Sequence, residues 1–130
     1  MGKIVITGGC GFIGHHLVEH FLKTTDWEID IIDKMNYAAS GLDRVRDINV
    51  YDDKRVKFYS TDLTRPLSDG MIQECGNADY ILHAAAETHV DNSISDPMSF
   101  VYANVVGTGY MLEFARKCKN LKAFIYFSTD

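Results

Sequence analysis

Apolar and polar positions follow two alternating patterns from one end of the chain to the other. Short apolar runs, rich in β-branched and aromatic residues, cover 3–7 (KIVIT), 28–32 (EIDII), 55–59 (RVKFY), 78–82 (ADYIL) and 123–127 (AFIYF). Each predicts a strand, the second ending at Asp33. Between them, apolar residues recur every three or four positions, the spacing of a helix face. Ile13, Leu17 and Phe21, with Val18 and Leu22 beside them, predict a helix over 12–23, and a weaker helical segment falls at 42–48. Pro66 suits the first turn of a short helix, where its missing N–H costs nothing, with Leu67, Met71 and Cys75 along one face. The longest helix is predicted from Pro97, with Asp96 as N-cap and Asn120 closing it. Met98, Val101, Tyr102, Val105, Gly109 and Leu112 keep its period.

Strands joined through helical crossovers must run parallel, because each connection travels back along the sheet. Strands that are apolar almost throughout fit a sheet covered on both faces. The expectation is a doubly wound α/β domain, a parallel sheet of five strands in the order 3-2-1-4-5.

Size and charge narrow the functions. The 130 residues suit one domain, and the 46% apolar and 24% charged shares are ordinary for a globular chain. A net charge of −5 offers no field for a polyanion, so nucleic acid is not an expected partner. The densest basic run, Lys54, Arg55 and Lys57, follows Asp52 and Asp53 and reads as a solvated face. No apolar stretch approaches the roughly 20 residues a membrane helix needs, and no signal-peptide core follows Met1. Gly2 is no myristoylation signal, since Ile6 stands where Ser or Thr is required. Cys10, Cys75 and Cys118 have neither metal-ligand spacing nor the even number of a disulfide framework, which fits reduced thiols in a cytoplasmic protein.

The chemistry gathers where strands end. Gly8-Gly9-Cys10-Gly11-Phe12-Ile13-Gly14 lies between the first strand and the first helix. Glycine at the strand end permits a tight turn, Gly11 lets backbone approach a pyrophosphate, and Gly14 lets the helix pack closely on the strand. Free N–H groups at the helix start then face the anion. Asp33 ends the second strand, 19 positions after Gly14, where a carboxylate accepts hydrogen bonds from adenosine ribose hydroxyls. It would repel a 2′-phosphate, so NAD is favoured over NADP, although Lys34 next door softens the preference. Asp62, after the third strand, either caps an adenine amino group or caps its own turn. Ala84, Ala85 and Ala86 follow the fourth strand and leave room for a cofactor at the sheet edge. His83 reads first as a satisfied structural residue. His16 and His20 have metal-pair spacing but no third ligand, so a surface or packing role is preferred.

The residues then resemble a known family. TGGCGFIG at 7–14 is similar to the TGGxGFIG opening of the extended short-chain dehydrogenases/reductases that act on nucleotide sugars. DKMNYA at 33–38 resembles the DKxxYA segment of the dTDP-glucose 4,6-dehydratases, and HAAAETHVDNSI at 83–94 their HxAAESHVDRSI stretch. NVVGT at 104–108 matches their NVxGT motif, and STD at 128–130 the start of their STDE motif. Cys10 replaces the usual Ala, His15 and Thr88 each replace Ser, Asn92 stands where Arg is common, and Ser40-Gly41 adds a residue.

The resemblance implies an NAD-binding Rossmann domain over 1–130, with the substrate domain outside the chain. It implies cofactor contacts from Phe12, Ile13, Lys34, Asn36, Ala38, Leu63, Thr88 and Asn104, and substrate contacts from Glu87, His89 and Asp91. In such enzymes NAD oxidises the sugar C4 hydroxyl, water leaves across C5 and C6, and the hydride returns to C6. Thr129 would hydrogen-bond the C4 oxygen, and Asp130 would act as general acid for the departing hydroxyl. The family's Tyr-x-x-x-Lys pair and catalytic Glu would lie beyond Asp130, so the chain alone is expected to be inactive.

Three readings follow: a nucleotide-sugar 4,6-dehydratase, an epimerase or UDP-glucuronate decarboxylase of the same superfamily, and a non-catalytic NAD-binding fragment. A homodimer paired through the helix over 97–117 is expected of the full-length protein. An open apolar edge at 123–127 is expected to self-associate in the isolated chain.

Overall fold

Five parallel strands form one sheet in the order β3-β2-β1-β4-β5. The computed structural model describes residues 2–9, 12–34, 53–85 and 94–127. Along the chain these are β1 (Lys3–Thr7), α1 (Phe12–Thr24), β2 (Glu28–Asp33), β3 (Val56–Ser60), α2 (Asp69–Cys75) and β4 (Tyr80–His83). Then come α3 (Pro97–Val101), a π-helical segment (Tyr102–Val106), α4 (Gly107–Lys117) and β5 (Ala123–Tyr126). The expected fold is the observed one, a doubly wound Rossmann sheet. The helical segment expected at 42–48 lies outside the described residues.

The core has two halves because the central strands bury both faces. Ile4, Ile6, Ile29 and Ile31 pack beneath Val18, Leu17 and Phe21 of α1. Val5, Ile32 and Ile81 face the other way, against Cys75 of α2 and Met111 and Phe114 of α4. Each such side chain contributes about 1.5–3 kcal/mol by leaving water. At the end of the sheet where the strands begin, Trp27 stacks on Tyr80 with ring centroids 5.2 Å apart and on Phe21 at 6.1 Å.

Several expectations need correction. The third strand runs one residue later than its apolar run suggested, and the fourth opens two residues later, at Tyr80, and ends at His83. Pro66 precedes the short helix rather than opening it: Ser68 is the N-cap, its hydroxyl accepting from the Met71 N–H at 3.2 Å, and Asp69 favours the positive helix end. Arg55 does not join a solvated basic face, for its guanidinium donates to the Thr25 and Leu22 carbonyls at 2.6 and 3.0 Å and so caps the end of α1. The long helix starts as expected, with Asp96 accepting from the Ser99 N–H at 3.3 Å and Pro97 in the first turn. It ends at Lys117, before Asn120.

That helix also changes pitch. The N–H of Gly107 bonds to the Tyr102 carbonyl five residues back, closing a wide turn inside an otherwise α-helical run. Beyond it, Met111 and Phe114 point into the core. Met98, Val101, Tyr102, Val105 and Leu112 are exposed, an apolar stripe turned away from the sheet. At the sheet edge, Ile125 and Tyr126 of β5 are also exposed.

Candidate functional site

The strand order reverses between β1 and β4, and the carboxyl ends of these strands open the crevice where α/β sheets take ligands. Of the residues expected to hold a dinucleotide, Gly8, Gly14, Asp33, Ala84 and Ala85 are described at or near these strand ends. Gly8 leaves β1 with φ +70°, a left-handed conformation that glycine adopts without strain. Its N–H bonds to the Ile32 carbonyl at 2.8 Å, which ties the turn to β2. A Cβ at Gly8 would stand 3.0 Å from the Ala85 backbone. A Cβ at Gly14 would run into the Gly8 carbonyl. Missing side chains thus let α1 sit on the end of β1, with the start of α1 beside the glycine turn. Ile13 is about half exposed and Gly14 buried.

Asp33 ends β2 with 6% of its surface exposed, level with the turn, and its carbonyl accepts from the Thr61 N–H at 3.1 Å. Lys34 beside it is exposed. Asp62 caps its own turn, the plainer of its two readings. Its Oδ1 accepts from the Thr64 hydroxyl at 2.6 Å and the Thr64 N–H at 2.9 Å. Those two bonds hold its carboxyl below the ordinary carboxylate range, helped by the charges of Lys34 and Arg65. Leu63 follows, and the backbone of Gly107 packs toward the Leu63 carbonyl, so the long helix crosses this loop.

Ala84 and Ala85 leave β4 with both N–H groups on the Thr7 hydroxyl, at 3.0 and 3.1 Å. Asn104 sits in the π-helical segment, its carbonyl accepting from the Thr108 hydroxyl at 2.7 Å. Gly11, Asn36, Ala38, Ala86, Glu87, Thr88, His89, Asp91, Thr129 and Asp130 lie outside the described residues, as does the Phe12 side chain. Among the described residues no group of three His, Cys, Asp or Glu could hold a metal, and no helix is long and apolar enough to cross a membrane.

His83 is the satisfied structural residue the sequence suggested, but its partners, a polar chain behind the turn, could not be read from it. His83, buried at the end of β4, contacts Thr7 through Nδ1 at 2.7 Å and Thr108 through Nε2 at 3.0 Å. Burial pushes its pKa down to about 4, so the ring is neutral at physiological pH. The available signal was a Thr at each end: Thr7 before the glycines and Thr108 closing the NVVGT segment.

The sequence of GDP-mannose 4,6 dehydratases, as a family, matches residues 5–130. The dTDP-glucose 4,6-dehydratase of Salmonella typhimurium is 40% identical over 136 residues, spanning 98% of this chain and 37% of that enzyme. Among solved structures, the DesIV dTDP-glucose 4,6-dehydratase of Streptomyces venezuelae, a double mutant with NAD bound, superposes with a TM-score of 0.83 at 32% identity. The match covers 97% of this chain and 39% of DesIV. The UDP-Glc/GlcNAc 4-epimerase of Campylobacter jejuni superposes with a TM-score of 0.77 at 29% identity, covering 97% of this chain and 36% of that one. The chain therefore spans well under half the length of these relatives.

Proposed function

The chain belongs to the GDP-mannose 4,6 dehydratase family, and on that premise we propose that residues 1–130 are the NAD-binding part of a nucleotide-sugar 4,6-dehydratase acting on dTDP-glucose. The substrate part lies outside these residues. The observation that carries this reading is the glycine turn at the β1–β4 crevice: Gly8 at φ +70° with its backbone against Ala85, and Gly14 against Gly8. Side chains at either position would collide with neighbouring backbone and push the turn and α1 apart, and a close turn of this kind at a helix start suits a pyrophosphate.

When bound, NAD supplies the hydride acceptor for the sugar C4 and returns the hydride at C6. Phe12 and Ile13 offer α1 N–H groups to the pyrophosphate, and Gly11 lets backbone approach it. Asp33 accepts the ribose hydroxyls and repels a 2′-phosphate. Lys34, Asn36, Ala38, Asp62 and Leu63 border the adenosine, while Ala84 to Ala86, Thr88 and Asn104 border the rest of the cofactor. Glu87, His89 and Asp91 hold the sugar nucleotide. Thr129 hydrogen-bonds the C4 oxygen, and Asp130 gives its proton to the departing C6 hydroxyl, a task that requires a raised pKa. None of the seven tyrosines has a lysine four residues later. The base for C4 oxidation therefore comes from elsewhere in this reading, and these residues alone do not turn over sugar nucleotide.

Two copies pair through the exposed stripe around Tyr102 and Val105, and the cysteines stay reduced in the cytoplasm. A 4-epimerase is the second reading, favoured by the likeness to the Campylobacter enzyme. It shares the oxidation at C4 and omits the loss of water.

Calorimetric titration with NAD, with NADP as control, tests the cofactor assignment. NAD is expected to bind at least about tenfold more tightly. Equal binding of NADP would remove the role given to Asp33, and binding of neither would remove the cofactor reading.

A further inference from the structure

We propose that His83 is a positioning residue: held in a single ring tautomer, it ties the ends of β1 and β4 to the helical segment that carries Asn104, so that both sides of the cofactor crevice form one hydrogen-bonded unit. The proposal rests on the cofactor reading above.

The direction of each bond follows from counting protons. The Thr108 hydroxyl donates its only proton to the Asn104 carbonyl at 2.7 Å. Toward His83 Nε2, at 3.0 Å, it can then only accept, so Nε2 carries the ring proton. Nδ1 is left bare and accepts from the Thr7 hydroxyl at 2.7 Å. Having donated there, Thr7 Oγ1 uses its remaining capacity on the N–H groups of Ala84 and Ala85, at 3.0 and 3.1 Å. The opposite tautomer would set the Nε2 lone pair against a Thr108 oxygen whose proton is already committed. It would also ask Thr7 Oγ1 to accept three donors. One proton arrangement satisfies every partner.

The ends of this chain decide what it positions. On one side, Thr7 fixes the two N–H groups of Ala84–Ala85, whose backbone touches Gly8. On the other, Thr108 fixes the Asn104 carbonyl within the π-helical segment, next to Gly107, which packs toward Leu63. His83 is 1% exposed, and its ring stacks on Tyr126 with centroids 5.5 Å apart. A polar network this fully satisfied specifies one geometry.

Two measurements on the full chain test it. Nitrogen-15 spectra of the histidine rings should show His83 neutral, with its proton on Nε2, from about pH 5 to 8. NAD titration should then be compared among the parent, Thr108→Val and Thr108→Ser. Valine keeps the branched shape and removes both hydroxyl roles, so its dissociation constant should rise about tenfold. Serine keeps the hydroxyl and should bind within about twofold of the parent. Melting curves of each variant confirm that the titrated protein is folded. A ring proton on Nδ1, or equal NAD affinity in folded Thr108→Val, overturns the positioning role and leaves the cofactor reading intact. Failure of the parent itself to bind NAD overturns the cofactor reading, and the positioning role with it.

Discussion

The Lys3 ammonium lies 3.0 Å from the Asp30 carboxylate between β1 and β2, with 9% and 1% of the two side chains exposed. The ammonium also donates to the Glu74 carbonyl at 2.9 Å, whereas Asp30 Oδ2 has no aligned hydrogen bond beyond the ion pair. Removing one partner strands the other charge in the core. Lys3→Met is expected to cost about 3–5 kcal/mol, and the pair Lys3→Met with Asp30→Leu to cost far less or to stabilise. Urea denaturation followed by circular dichroism measures both. A single variant as stable as the parent would mean that water reaches the carboxylate.

His83 makes stability depend on pH. Its ring has a pKa of about 4 in the folded chain against 6.5 for a free histidine. Between these values the unfolded chain binds more protons, so stability rises with pH across this window and falls as acid is added from pH 6.5 toward 4. The loss attributable to this ring is about 3 kcal/mol. Comparison of the pH profile with that of His83→Gln isolates the contribution: the variant should be flatter in the same window.

Cys75 and Cys118 are buried, and both thiols are held above their ordinary pKa by that burial, Cys75 reaching about 12 with the charge of Asp30 adding to the effect. Neither forms much thiolate at pH 8. Peptide mapping after iodoacetamide treatment should find both unmodified in the native chain and both alkylated in denaturant. Rapid native alkylation of either would indicate local opening of α2 or of the end of α4.

At Gly14 the consequence is steric. Gly14→Ala drives a methyl group into the Gly8 carbonyl, so α1 must move away from β1. NAD affinity should fall by about a hundredfold or more, with a loss of about 2–4 kcal/mol in stability. Gly8→Ala, strained at φ +70° but less crowded, should cost about 1 kcal/mol. Calorimetry and thermal melting together rank the two.

Self-association has two possible seats, the stripe of Tyr102 and Val105 and the strand edge at Ile125 and Tyr126. Sedimentation velocity of Val105→Glu and of Ile125→Lys tells them apart. The expected outcome is that Val105→Glu abolishes a discrete dimer, whereas Ile125→Lys suppresses only larger, open-ended species.

The sheet was legible because each central strand is a short, nearly continuous apolar run beside a helical period, and Gly8 and Gly14 punctuate the first crossover. The wide turn at Tyr102–Val106 was not. A turn with one extra residue rotates the helix by about 100°, and a plain helical period cannot register that shift. The sequence therefore suggested one stripe through Met98, Val105 and Leu112, while the buried face beyond the turn belongs to Met111 and Phe114. Pro66 misled because proline is welcome in several places before a helix, and the hydroxyl of Ser68 settled which residue caps it. The Lys3–Asp30 pair left only a faint trace, a charge inside each of two apolar strands. In the crevice, the places of Gly8, Gly14, Asp33, Ala84 and Ala85 at the strand ends could be read from the sequence. The His83 chain could not, since it joins residues 76 and 25 positions apart.

The strand order also sets a timetable for the newly made chain. β1 needs β4 on one side as well as β2 on the other, and some fifty residues separate Asp33 from His83. At ribosomal speeds that is about 3–10 s. Throughout that interval Ile4, Val5 and Ile6 have a backbone edge that still lacks its second partner. The strand that finishes in the middle of the sheet is thus the one that waits longest for its last neighbour.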